Sequence, residues 1–208
     1  MRVLIVLISA AAVAACAAPT PSRDPVTNPK AMKAAVGEYL RDHGDFCLGK
    51  FTWPIVVTER ARKAGSNDAV QMPVLERLGL VTSTIDPSHP ATQVYSLSDL
   101  GRKFYVSKDV VTRESVDTFV EHPGDLCAVK LQLDQIVSWT AVRYVDGHAQ
   151  TSVKFTYAIE NAAPWAEDPQ LRRVFPWLDR ILASERHLQL EQLFTWSNGA
   201  WTAVLPGS

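Results

Sequence analysis

The sequence predicts an α+β fold in two parts: a small module of helices and short strands over residues 30–110, then an antiparallel sheet of about four strands with one packed helix over residues 111–208. Composition is the first observation behind this. A chain of 208 residues, 47% hydrophobic and 21% charged, has the balance of a globular protein and room for one good-sized domain or two small ones. The second is a change of period: apolar residues recur at helical spacing after residue 28 and at strict alternation after residue 128. The third is the pair of turn signals Asp146-Gly147 and Asn198-Gly199, each beside an alternating run. A formal charge of -1 and a pI near 6.5 supply no global field that would select a polyanionic or polycationic partner.

At the start of the chain, Met1 and Arg2 precede the uncharged run Val3 to Ala15, which ends in small residues. That is the build of a secretory signal, and it is shorter than the ~20 apolar residues a membrane-crossing helix requires. The run closes on Val13-Ala14-Ala15-Cys16. This tetrad resembles the lipobox of bacterial lipoproteins, a branched aliphatic and two small residues before a cysteine. The resemblance implies that residues 1–15 are a signal peptide and that Cys16 is lipidated, fatty acids such as palmitate holding the chain to a membrane. Several acyl chains at ~0.8 kcal/mol per buried methylene make such an anchor effectively permanent. Ala17 and Ala18 lack the aspartate associated with inner-membrane retention, so the implied address is the outer membrane, facing the periplasm. Residues 16–29, rich in Ala, Pro, Thr and Ser, read as a flexible tether.

The body opens at Asn28-Pro29, a capping side chain followed by a proline suited to the first helical position. Met32, Ala35, Val36, Tyr39 and Leu40 then mark one helical face, and Gly44 closes it. Phe51 to Val57 is β-like, restricted to an edge or bulge by Pro54. Arg60, Arg62 and Lys63, beside Glu59, read as a solvated helix face. Leu75-Glu76-Arg77-Leu78-Gly79-Leu80-Val81 resembles the end of a winged-helix recognition helix. Gln93 to Arg102 resembles the second wing strand and the helix after it, with Ser98 as cap and Asp86-Pro87-Ser88-His89-Pro90 as the wing tip. The wing tip has an aspartate and no Lys or Arg, and the signal directs the chain away from the chromosome, so no nucleic acid is expected.

In the second part, Val129, Leu131 and Leu133 alternate with polar residues, as do Thr151, Val153, Phe155, Tyr157 and Ile159 after Asp146-Gly147. Asp168-Pro169 opens a helix whose apolar face is Leu171, Val174, Phe175, Leu178, Ile181 and Leu182, kinked or broken at Pro176. Leu188, Leu190, Phe194 and Trp196 lead to the Asn198-Gly199 turn, and Trp201, Ala203 and Leu205 return.

Residues that could carry chemistry are few. In an exported chain the simplest reading of Cys47 and Cys127 is a disulfide. A rival reading groups His43, Cys47, His122 and Cys127 as a tetrahedral zinc site, and another makes one cysteine a nucleophile activated by His43 or His122. No serine sits in a Gly-x-Ser-x-Gly elbow, Glu167 and Asp168 read as a helix entry, and His89, His148 and His187 lie in or near turns or strand starts. Five of the tryptophans, Trp139, Trp165, Trp177, Trp196 and Trp201, fall in the second part, and Trp165, in Pro164-Trp165-Ala166, is the expected exposed contact. The expectation is a lipid-anchored envelope protein acting as a non-catalytic binding or assembly module, without cofactor or metal. Its partners would be the membrane, through Cys16, and a protein or other envelope macromolecule. The alternatives are an envelope hydrolase or redox enzyme using a Cys/His site, and a DNA-binding regulator.

Overall fold

The computed structural model describes residues 25–108, 110–113, 115 and 118–205. The signal run, Cys16 and residues 17–24 of the tether lie outside the described residues.

Helix α1 (Pro29–His43) starts where the Asn28 side chain accepts the Ala31 N–H at 2.9 Å, and its buried stripe is Met32, Ala35, Val36 and Leu40. It stops at Gly44, whose N–H donates to the Leu40 carbonyl at 2.7 Å and whose carbonyl accepts from the Leu131 N–H at 2.8 Å. A Cβ at Gly44 would lie 2.2 Å from the Leu40 oxygen and 2.6 Å from the Leu131 oxygen. Only glycine lets the helix end press this closely on the sheet.

After α1 come β1 (Asp45–Cys47), β2 (Ile55–Val57), α2 (Glu59–Ala64), α3 (Asn67–Arg77), β3 (Val81–Asp86), β4 (His89–Leu97), α4 (Asp99–Arg102) and β5 (Tyr105–Val106). A short hairpin, β6 (Val110–Arg113) and β7 (Phe119–His122), leads to β8 (Asp125–Trp139), β9 (Arg143–Val145) and β10 (His148–Ala162). A 3-10 turn at Pro164–Glu167 precedes α5 (Pro169–Val174) and α6 (Pro176–Ala183), and the chain returns as β11 (Gln189–Ser197) and β12 (Ala200–Ala203).

The main sheet is antiparallel and has seven strands, ordered β1-β8-β10-β11-β12 with β5 also on β8 and β9 also on β10. Tyr157 pairs with Leu133, Phe155 with Leu190, Thr151 with Phe194 and Trp196 with Trp201. Along β10 the residues Ala149, Thr151, Val153, Phe155 and Tyr157 are all buried, which is the period of a strand with one face in a core. Helix α1 meets both β8 and β12, with β10 and β11 between them, so the sheet curls around it. Tyr157 reaches α6, its hydroxyl donating to the Ile181 carbonyl at 2.8 Å. The smaller sheet, β2-β4-β3, carries α3, and Met72, Leu75, Leu80, Val81 and Tyr95 from this part join the residues of the main sheet in one hydrophobic cluster.

This architecture corrects the expected fold class. The chain is not a winged-helix-like module followed by a sheet of about four strands with one packed helix: it is a mixed α/β fold built on a curled seven-stranded antiparallel sheet with a few short helices. Two of the seven strands, β1 and β5, come from the segment expected to make the winged-helix unit, and α1 packs on the main sheet rather than on α3. Locally, the α3 end at Gly79 and the turn between β3 and β4 form as the residue chemistry predicts, but they do not build a wing assembly. Pro176 divides the expected single helix into α5 and α6, because its ring cannot continue the hydrogen-bond ladder.

Candidate binding cleft

Cys47 and Cys127 face each other across β1 and β8 and are joined as a disulfide over a sequence separation of 80. Both thiols are therefore consumed. The zinc reading and the nucleophile reading each need a thiolate that this bond removes. His43 and His122 are also engaged separately: His43 stacks on Tyr39, while His122 stacks on Phe51 at 4.1 Å between ring centres and pairs with the Thr112 hydroxyl at 2.8 Å. Among the described residues no three His, Cys, Asp or Glu side chains converge as a metal site.

The loop after β1 is tied down beside the disulfide. The Asp125 carboxylate accepts the N–H groups of Gly49 at 3.0 Å, Lys50 at 2.7 Å and Leu126 at 2.7 Å. Leu48 N–H donates to the Leu126 carbonyl at 2.7 Å, and the Tyr105 hydroxyl donates to the Phe51 carbonyl at 2.5 Å. Burial pushes the Asp125 carboxyl above its ordinary value, against the pull of its three N–H donors and of Lys50. Lys50 is itself buried and pairs with Asp68 at 2.5 Å. The charged groups thus serve the loop rather than an open reaction site.

On β8 beside this anchor lies a cleft of about 190 Å³. Cys127 and Phe104 contribute to its floor and wall, and its polar lining is Asp45, Lys103, Lys130 and Asn161. These come from β1, the turn between α4 and β5, β8 and β10, three strands and a turn that only the folded sheet brings together. Asp45 is 3.3 Å from the Lys130 ammonium and 3.6 Å from that of Lys108, and Lys130 also donates to the Arg41 carbonyl at 2.8 Å. His43 stands beside the same charges. Burial holds its imidazole below the ordinary histidine value, and Lys108 acts in the same direction. The volume is below the ~300 Å³ at which ligand pockets usually begin, so it suits a protruding group rather than a whole cofactor.

Trp165, expected as an exposed contact, is instead 7% exposed and packs edge-on against Phe104 at 5.4 Å. The turn that carries it folds inward because Ala163 N–H bonds the Ala128 carbonyl at 2.8 Å. Trp165 therefore backs the cleft wall without facing solvent. Cys16 lies outside the described residues. Lys103, Lys130 and Asn161 escaped sequence reasoning. Counting outward from the disulfide would have set Asp45 near residue 129, and the bulge between Phe46 and Cys47 moves its partner to Lys130.

Among the described residues no helix is long and apolar enough to cross a membrane, and the disulfide fits an exported chain. Compared with known proteins, the chain matches no family model, no curated protein and no solved structure.

Proposed function

We propose that this chain is an exported lipoprotein, anchored through Cys16 to the outer membrane on its periplasmic side, whose folded body is a non-catalytic binding module. The cleft on β8 is the binding surface of this reading. It takes a single anionic group, a carboxylate or a phosphate, that protrudes from a protein or other envelope macromolecule. The observation that carries the reading is the cleft itself: Lys103 and Lys130 line it against the single carboxylate of Asp45, which Lys108 also pairs from outside the lining, beside a disulfide that fastens the strand bearing Asp45. The size favours a side group over a free metabolite, and the disulfide supports an oxidising compartment.

Two measurements test the two halves. In the Cys16→Ser variant the acyl mass is expected to disappear and the precursor to persist, since only the thiol accepts the lipid; unchanged acylation overturns the anchor. A photo-reactive residue in place of Asn161, which leaves both cleft lysines intact, is expected on activation in intact cells to give a discrete adduct with one envelope component. Adducts no more abundant than those from an exposed control position, Val56, overturn the cleft as the contact surface.

A further inference from the structure

The described chain begins close to one end of the main sheet. The Trp201 indole N–H donates to the Val26 carbonyl at 2.8 Å, which pins the segment before α1 against β12. Helix α1 runs from there to its docking point at Leu131, so its N-terminus belongs to the same end. The strand register shows what else that end carries. Gln150 on β10 pairs with Arg143 on one side and Thr195 on the other, and Thr195 pairs with Thr202. The turns Asp146-Gly147 and Asn198-Gly199 therefore project from the sheet in the same direction, two strand steps apart, which is about 10 Å. Next to the first turn, Tyr144 is 69% exposed and Val145 44% exposed, with Arg143 beside them. Lys30 and Lys33, in the first two turns of α1, are exposed as well.

We propose that this sheet end is a membrane-facing surface, resting on an anionic phospholipid bilayer with Tyr144 and Val145 at the level of the headgroups. The proposal rests on the lipoprotein reading and adds an orientation to it. From Cys16 to Pro25 the backbone can span at most about 30 Å, and it enters the body at this end. The tether therefore holds this end of the sheet within about 30 Å of the bilayer, a limit it sets directly on no opposite surface of the body. A tyrosine presents an apolar ring and a hydroxyl, the combination that suits the boundary between acyl chains and water. Arg143, Lys30 and Lys33 outnumber Asp146 there and meet the negative potential of an anionic lipid surface. The cleft on β8 lies toward the other end of β8 and β10, among residues 127–130 and 161–164, and so faces away from the lipid.

The test uses the full acylated protein reconstituted in vesicles of phosphatidylethanolamine with phosphatidylglycerol. A photo-crosslinking phenylalanine analogue replaces Tyr144 in one preparation and Val56, on the smaller sheet, in another. Lipid adducts are expected at position 144 and not at 56, and they are expected to fall when salt is raised or phosphatidylglycerol is omitted. Acylated protein that floats with the vesicles but gives no lipid adduct at 144, or gives equal adducts at both positions, overturns the orientation alone. A chain without acyl mass on Cys16 overturns the underlying reading and the orientation with it. Adducts at 144 that are protein in intact cells overturn the lipid as occupant.

Discussion

Asp125 shows how a single carboxylate can hold a loop together at an electrostatic cost. It is buried and accepts three backbone N–H groups, two of them from Gly49 and Lys50, which would otherwise be orphan donors under the loop. In the Asp125→Asn variant the amide nitrogen cannot accept, so one of these donors loses its partner, and a loss of about 1–3 kcal/mol is expected in chemical denaturation near neutral pH. The pH dependence follows from the raised pKa. A carboxyl whose folded pKa exceeds its unfolded value contributes stability at low pH and loses it as pH rises through the folded pKa. The gap between the wild type and the Asn variant, in which position 125 no longer titrates, should therefore widen as pH falls from about 7 toward the ordinary aspartate value of about 4. A gap that narrows over that range would show that the hydrogen bonds outweigh burial. In the sequence Asp125 reads only as turn material before an apolar strand, because two of the three donors it serves lie 75 and 76 residues away.

The hairpin of β11 and β12 shows local chemistry deciding an element. Asn198 and Gly199 have φ of 52° and 82°, as a two-residue turn with both central residues left-handed requires. Trp196 and Trp201 then face each other across the strands with ring centres 5.3 Å apart. A β-branched residue at Gly199 resists that backbone, so Gly199→Val is expected to cost about 1–2 kcal/mol and to disturb the near-ultraviolet signal of the tryptophan pair. An unchanged melting midpoint with an intact tryptophan signal would count against this account of the turn. Strands of this kind were legible: β8, β10, β11 and β12 each bear alternating residues, and two turn pairs set their returns. By contrast, β1 has three residues and β5 two, too few to establish a period, and both are defined only by their pairing with β8.

At the scale of the molecule, the change from two modules to one curled sheet depends on contacts between residues far apart in sequence. The signals around residues 75–81 and 93–102 were locally sound, yet they left open what α1 would cover, and its apolar stripe packs on β8 and β12. The cleft was illegible for the same reason, since its polar lining comes from three strands and a turn that are separated in sequence. Cysteine usage did carry long-range information, and the Cys47–Cys127 bond closes a loop of about 80 residues between the first strand of the sheet and one of its two longest. On the chain-entropy model such a loop is worth about 4–5 kcal/mol, against roughly 5–15 kcal/mol for a whole domain. Reduction should therefore lower the urea midpoint of the entire body. Because the buried residues of both sheets form one cluster, tryptophan fluorescence and far-ultraviolet circular dichroism should shift together and stay coincident. Transitions that separate on reduction would mean that the smaller sheet keeps its own stability once the bond is cut. An unchanged midpoint would mean that the denatured chain is already as restricted without the bond as with it.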